Sequence, residues 1–337
     1  MGQMTTAHTP ETDAPSINPA DLEAQLEPFR SELTAYAYRM LGSAFEAEDA
    51  VQETMVRAWR ALDRFEGRSQ LRSWLYRITT NVCLDMLGSR QRRARPMDLE
   101  PSSHADRPLP PPLTEAVWIE PAPDSLVVPS SGDPANVAVA RESVRLAFMA
   151  ALQHLPPKQR AVLILREVLR WRASEVAELL DTTVASVNSA LQRARATLDD
   201  LGADAETAAS GSIDEASEEL LARYVEAFEA YDMDALTALL HEDATWNMPP
   251  FSMWLTGHED IVAWCIGPGY ACEGSRLIPV AANGSPAWGQ YKPDPAGGWA
   301  PWSLQVMETR DGKISGLTFF LDTTRWFPLF DLPPHLD

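Results

Sequence analysis

Basic residues are scarce in this chain. It carries 28 Lys and Arg against 48 Asp and Glu, a formal net charge of −20. Affinity for nucleic acid rests largely on neutralised phosphates, so a protein that coats DNA by bulk charge is excluded and any basic surface must be local. Cysteine is sparse too: Cys83, Cys265 and Cys272 form no CxxC pair, and the six histidines make no ligand-spaced cluster. A structural zinc site and a disulfide framework are excluded, reduced thiols in a cytoplasmic protein are expected, and no metal or cofactor is implied. No apolar run reaches membrane-spanning length, and the N-terminus lacks a basic stretch followed by an apolar one. A membrane partner is therefore not expected. The 337 residues leave room for two or three domains.

What is present concentrates first in Leu155 to Leu198. Pro156 and Pro157 sit where a helix begins, since a first-turn proline gives up only an unneeded N–H. Val162, Leu163, Leu165, Val168 and Leu169 follow as an apolar stripe at helical spacing. A second helix carries Val176, Leu179 and Leu180, and a third carries Val187, Ala190, Leu191, Ala194 and Leu198. Asp181-Thr182-Thr183 is short enough to force these two to cross. Asp tolerates the left-handed conformation of such a turn, and either Thr can cap the next helix. Once its stripe is buried, the third helix is left with Ala185, Ser186, Asn188, Ser189, Gln192, Arg193 and Arg195. Small residues admit a helix to the major groove, where Asn, Gln and Arg read base edges or hold phosphates. The blander alternative is a hairpin in an ordinary α-domain; a helix-turn-helix fits better.

The chain opens with Met1 to Ala20, a leader expected to be disordered. Asp21 to Arg93 is helical in pattern, from Leu22, Leu26, Phe29 and Leu33 onward to Gly42. The next helix buries Val51, Met55, Trp59 and Leu62 and leaves Glu48, Asp49, Gln52 and Glu53 on the other side. After a break at Glu66 to Gln70, a third helix turns Leu71, Leu75, Ile78, Val82 and Met86 inward. Arg72, Arg77, Thr80 and Asn81 face outward, and Trp74 and Tyr76 are expected in the core. Arg90, Arg92, Arg93 and Arg95 close the segment as an expected nucleic-acid surface.

The run EDAVQETMVRAWRALDRFEGRSQLRSWLYRITTNVCLDMLGSRQRR resembles region two of the extracytoplasmic-function sigma factors, promoter-recognition subunits of bacterial RNA polymerase. Leu155 to Leu198 resembles their region four, in the family's order, and together the blocks cover about half the chain. The resemblance implies that Glu48, Asp49, Ala50, Val51, Gln52 and Glu53 bind the coiled coil of the polymerase's largest subunit. It implies that Arg68, Arg72, Arg77 and Asn81 engage the minus-ten promoter element, where the family captures a base turned out of the stack. Thr183, Ser186, Asn188, Ser189, Gln192, Arg193 and Arg195 would face the minus-thirty-five element. The expected partners are RNA polymerase core and promoter DNA. Two departures touch the cap geometry: family members often have glycine where Asp181 stands and a small or capping residue near Arg172.

Residues 96–137 are Pro-rich and expected as the linker between region two (21–95) and region four (138–201). Within it Val117 to Asp124 forms an apolar island, expected to dock on another domain. A further domain follows at 213–337, with two helices before a run of strands and Asp311-Gly312 as a tight hairpin turn. Helices followed by a curled antiparallel sheet make an α+β plan. HEDATWNMPPFSMWLTGHEDI and DGKISGLTFFLDTTRWFPLF resemble SnoaL-like domains of the nuclear-transport-factor-two-like superfamily, cones with an internal pocket. The fold class is thus multidomain: two all-α sigma domains and a C-terminal α+β cone. Trp246, Met248, Trp254 and Trp264 would line an apolar pocket for a small ligand. His241, Asp243, His258, Glu259 and Asp322 are the acid–base candidates there, but residues beside strand starts are more often caps or surface groups, and the domain's expected role is regulatory, not enzymatic. From Ile213 onward acidic residues outnumber basic ones about three to one, so this appendage is expected to shield the basic helices. The tail Phe327 to Pro334 is apolar and expected to pack against the cone or the sigma blocks. The alternative is a stand-alone helix-turn-helix regulator or a cone-domain enzyme fusion.

Overall fold

A computed structural model describes residues 24–61, 70–88, 92–113, 118–130, 133–201 and 215–337. The leader 1–20 and Arg68 lie outside these. Helices α1 (Arg30–Leu41), α2 (Ala44–Ala61) and α3 (Leu71–Leu87) form the first bundle. Gly42 ends α1 at φ 74°, where glycine escapes the Cβ penalty, and its N–H returns to the Tyr38 carbonyl. Helix α2 buries Ala47, Ala50, Val51, Thr54 and Ala58. Its stripe is rotated from the expected one: Trp59 is 58 % exposed and Met55 only half-buried. Alanines won this face because they let α1 and α2 approach closely.

The linker is partly ordered as the single turn α4 (Asp124–Val127) and as α5 (Pro134–Glu142), which starts inside the stretch expected to be irregular. Asp133 caps α5 by accepting from the Ala135 N–H, and Pro134 occupies its first position. Region four continues with α6 (Leu146–Gln153), α7 (Pro157–Leu163), a π-helical turn at Ile164–Val168, α8 (Ala173–Leu179) and α9 (Val184–Asp200). At the turn before α9, Asp181 has φ 49°, and the Thr183 hydroxyl accepts from the Ser186 N–H at 3.1 Å. At the Arg172 departure a carboxylate takes over the capping: the Arg172 N–H donates to Glu175 Oε2 at 2.7 Å.

The C-terminal domain opens with α10 (Glu215–Ala230) and α11 (Met233–Leu239). Strands β1 (Leu240–Asn247), β2 (Trp254–Thr256), β3 (Arg276–Ala282), β4 (Ser285–Pro293), β5 (Trp299–Arg310) and β6 (Lys313–Phe320) form a sheet in the order β2-β1-β6-β5-β4-β3. Helix α12 (His258–Ile266) follows β2, and α13 (Thr323–Leu329) follows β6. The sheet is mixed, not antiparallel as expected: β1 lies parallel to β6, with Trp246 opposite Leu317. The rest of the sheet is built between these two strands, so the last strand closes beside the first in the same direction.

Both faces of the sheet are buried. Met307 and Phe319 point into the cone with Tyr224, Trp246 and Trp288. Leu304, Val306 and Phe320 point outward, into an apolar core that also holds Leu33, Tyr38 and Met40 of region two and Leu152 and Leu163 of region four. One core therefore runs through all three domains. The apolar tail belongs to it, with Phe327, Phe330 and Leu332 buried and the Leu336 N–H donating to the Trp299 carbonyl at 3.0 Å.

Candidate nucleic-acid interface and the seam that holds it

Thr183, Ser186, Asn188, Ser189, Gln192, Arg193 and Arg195 are all exposed along one side of α9. Val187, Leu191, Ala194 and Leu198 hold the opposite side in the core, which fixes the rotation of the helix. Thr183 and Ser186 are joined by a 2.9 Å hydroxyl contact at the cap. Arg195 pairs with Glu167 at 2.7 Å. Among the described residues no side-chain hydrogen bond engages Asn188, Ser189, Gln192 or Arg193, so this small, polar face is available to a groove.

Helix α3 is in a different state. Arg72 forms a two-toothed pair with Glu32, 2.7 Å at the shorter contact, and its guanidinium lies 5.4 Å from the Trp171 ring centroid of region four. Tyr76 is buried against the same Trp171, with ring centroids 4.9 Å apart. The Arg77 guanidinium reaches the Glu178 carbonyl of α8 at 3.2 Å. Asn81 is exposed. The expected basic cluster after α3 is corrected at two of its four positions: Arg93 is buried and paired with Glu46 at 2.7 Å and Glu120 at 3.1 Å, and Arg95 is half-buried beside Asp98, while Arg92 is exposed and Arg90 lies outside the described residues. Arginines so placed bind the protein's own carboxylates, not phosphates.

On α2, Glu48, Asp49 and Gln52 are exposed and Glu53 is half-buried beside Arg57, 2.7 Å away. Ala50 and Val51 are core residues, which removes them from the candidate contact face. Sequence reasoning missed Val56 and Trp59, exposed by 40 % and 58 %. The signal was available, because positions four and seven after Gln52 share its face of a helix.

A seam joins the three domains. Asn283 and Gly284 form the tip between β3 and β4, at φ 56° and 67°, an Asn-Gly hairpin signal that the sequence reading passed over. Asn283 is fully buried; its Nδ2 donates to the Tyr38 hydroxyl at 2.6 Å and to the Val144 carbonyl at 2.7 Å, and its Oδ1 accepts from the Ala122 N–H at 3.0 Å. One side chain thus ties region two, the linker and region four. The Gly284 N–H donates to Asp124 at 2.7 Å, and a Cβ on Gly284 would lie 2.5 Å from the Arg141 carbonyl oxygen. Beside the tip, Glu120 of the linker is buried and accepts from Ser43, Arg93 and, at 2.9 Å, Arg325 of the cone. Burial raises its carboxyl above the usual range against the pull of these donors. Arg39 adds a buried cation whose bonds reach Ser143 at 2.9 Å and the Ala140 carbonyl at 3.0 Å, and desolvation pushes it down to about 10. Trp118 and Ile119, from the apolar island, are buried here as expected.

Three family models match the chain: Sigma-70 region 2 over residues 26–93, Sigma-70 region 4 over 145–198, and a SnoaL-like domain over 221–317. The ECF RNA polymerase sigma factor SigG of Mycobacterium tuberculosis is 46% identical over 322 residues, which is 94% of this chain and 85% of that protein. The chain belongs to the ECF RNA polymerase sigma factors. SigJ of the same organism is 27% identical over 307 residues, 87% of this chain and 89% of SigJ. The crystal structure of M. tuberculosis SigJ matches with a TM-score of 0.59 at 24% identity, covering 92% of this chain and 99% of that one, and so has the same architecture.

In this sigma factor aromatic side chains pack together inside the cone. Trp246 and Trp264 are buried core residues, Trp246 stacked 4.7 Å from Phe319. Met248 is half-buried, and the Trp254 indole donates to the linker's Glu100 carbonyl at 2.8 Å. None of these four expected pocket residues lines the cavity of about 550 Å3 that lies between linker and cone. His241 and Asp243, 2.6 Å apart, form a surface pair that Arg310 joins, and His258 contacts the His241 carbonyl at 3.0 Å. Asp322 precedes α13. Among the described residues no helix is long and apolar enough to cross a membrane, and no group of three His, Cys, Asp or Glu could hold a metal ion.

Proposed function

We propose that this ECF sigma factor adopts here a closed state, from which polymerase core releases it to direct promoter-specific initiation. The observation that carries this reading is the direct packing of region four on α3, through Trp171 and Glu178 against Arg72, Tyr76 and Arg77. Minus-ten and minus-thirty-five elements are far apart on a promoter, so a region four packed directly on α3 cannot hold one element while α3 holds the other. On this reading Glu48, Asp49, Gln52 and Glu53, extended by Val56 and Trp59, meet the coiled coil of the polymerase's largest subunit. Acidic and amide groups with a central aromatic suit an Arg-bearing partner. Helix α9 enters the major groove of the minus-thirty-five element, and Arg77 and Asn81, with Arg72 once freed, take the minus-ten strand.

The C-terminal domain acts on this scheme as a regulator. It grips the linker at two places, through Glu100 and Ser103 on β2 and through Ala122 on Asn283, and the linker must be free to run between promoter elements. Run-off transcription with purified core polymerase tests the function. Initiation at defined start sites only when the chain is added is the expected result, and no initiation on any genomic promoter would overturn it.

A further inference from the structure

The cavity of about 550 Å3 belongs to neither domain alone. Leu113, Trp118 and Glu120 supply its linker wall, and Trp302, Asp322 and Trp326 much of its cone wall. It lies on the outer face of the sheet, where Phe320 points, whereas Phe319 beside it points into the cone. This is therefore a different space from the interior of the cone. Its size and its mainly apolar walls, with several aromatic side chains and a few polar groups, are those of small-molecule sites.

The polar groups narrow the ligand. Glu120 and Arg325 are already paired at 2.9 Å, and Arg93 holds Glu120 from behind at 3.1 Å. Asp322 is different: among the described residues its Oδ1 accepts only the Thr324 hydroxyl, at 2.7 Å, and its carboxylate makes no ion pair. The tryptophan faces are partly taken, by the Lys292 ammonium 3.2 Å from the Trp302 centroid and by the Arg325 guanidinium 4.9 Å from that of Trp326. An incoming cation is thus directed to Asp322, and an incoming ring to the apolar walls. A chain of net charge −20 also attracts cations in general.

We propose that this cavity binds a small aromatic amine, its ring against Trp118 and the cone wall and its ammonium on Asp322. The proposal deepens the closed-state reading and rests on it for its consequence alone. Because the walls come from both linker and cone, the ligand binds the docked state and shifts the equilibrium toward it in proportion to its occupancy. The ligand then restrains the sigma factor instead of activating it.

Calorimetric titration of the full chain with 2-naphthylmethylamine, 2-naphthylmethanol and 2-naphthoate tests the site without polymerase or DNA. The three probes share a ring and differ in charge. The amine is expected to bind one site about tenfold more tightly than the alcohol, with the carboxylate weakest. Asp322→Asn, which keeps the side-chain shape, should abolish the amine's advantage, and Leu113→Trp, which fills the cavity from its linker wall, should weaken all three. Absence of saturable binding at millimolar amine overturns the site, as does binding that ignores both substitutions. Hydrogen exchange at the Gly284 N–H, bonded to Asp124 across the seam, reads the consequence. Slower exchange with the amine supports restraint, and unchanged or faster exchange overturns it. A failed titration leaves the transcription result standing, and a failed transcription assay leaves the titration interpretable.

Discussion

The two helices assigned to DNA in this sigma factor differ in how their polar faces are used. Helix α9 presents Asn188, Ser189, Gln192 and Arg193 to solvent without side-chain partners among the described residues, while α3 spends Arg72 on Glu32 and Trp171 and lends Arg77 to region four. Both are basic-polar helices of similar length with buried apolar stripes. The difference comes from what packs across each polar face, and on the proposed reading it teaches that a DNA-binding face can be assembled in full and still be withheld.

The contrast can be broken at the hairpin tip. Gly284→Val forces a β-branched residue to φ 67° and drives its Cβ to 2.5 Å from the Arg141 carbonyl. The docked state should lose about 3 kcal/mol or more, and small-angle scattering should show an expanded chain; an unchanged radius would mean the seam does not hold the domains. Asn283→Ala strands the Ala122 N–H and the Val144 carbonyl and removes a donor to the Tyr38 hydroxyl, which keeps its bond to the Glu120 carbonyl. Its expected cost is roughly 2–3 kcal/mol of docking, read as faster hydrogen exchange at Ala122.

Substitutions on the two helices sharpen the contrast. Asn188→Ala or Gln192→Ala should cost about 1–3 kcal/mol on a minus-thirty-five duplex, with specificity relaxed at one base pair if the contact is to a base. Arg193→Ala, if it holds a phosphate, should instead weaken binding across sequences and flatten the salt slope. Arg77→Ala should leave DNA binding by the closed chain unchanged while reducing transcription from the holoenzyme. Equal losses from both helices in the free chain would remove the distinction. A chain ending at Leu201, freed of the acidic domain, should bind promoter DNA more tightly than the full chain at low salt; affinities that coincide across a salt titration would show that the appendage shields nothing.

The smallest effect is that of pH. Burial raises the carboxyls of Glu120 and Asp124 at the seam. The docked form therefore holds protons more tightly than the open one. Their contribution to docking is full below the ordinary carboxylate range and is lost as pH rises through the raised values. Fluorescence transfer between region two and the cone should report tighter closure near pH 5 than near pH 7.5, and the opposite slope would reassign the pH dependence to other groups.

The helix-turn-helix was legible because its signals are local. Pro157 starts α7, Asp181 takes the left-handed turn, Thr183 caps, and the stripe from Val187 to Leu198 fixes which side is left over. Strand β3 fell at the predicted residues for the same reason. What escaped depends on neighbours distant in sequence. Periodicity put Trp59 inside because aromatic residues usually are, yet alanines packed better against α1. Arg93 looked like part of a basic run until Glu46 and Glu120 arrived from elsewhere. The direction of β1 relative to β6 is set by the closure of the whole sheet, which no single strand encodes. The stacking of Trp246 on Phe319 is likewise a contact between strands distant in sequence, which neither strand encodes alone.

The outward-facing side of the sheet has a thermodynamic consequence. Leu304, Val306 and Phe320 share one apolar core with Tyr38 and Leu152, so the boundaries of the domains are not the boundaries of cooperativity. By family the chain is divided into three parts; calorimetry should find regions two and four melting together with the outer layer of the cone. On the proposed reading, opening at polymerase exchanges one apolar cover for another, and a graft of this cone onto a different sigma factor should fail unless the residues beneath it travel too.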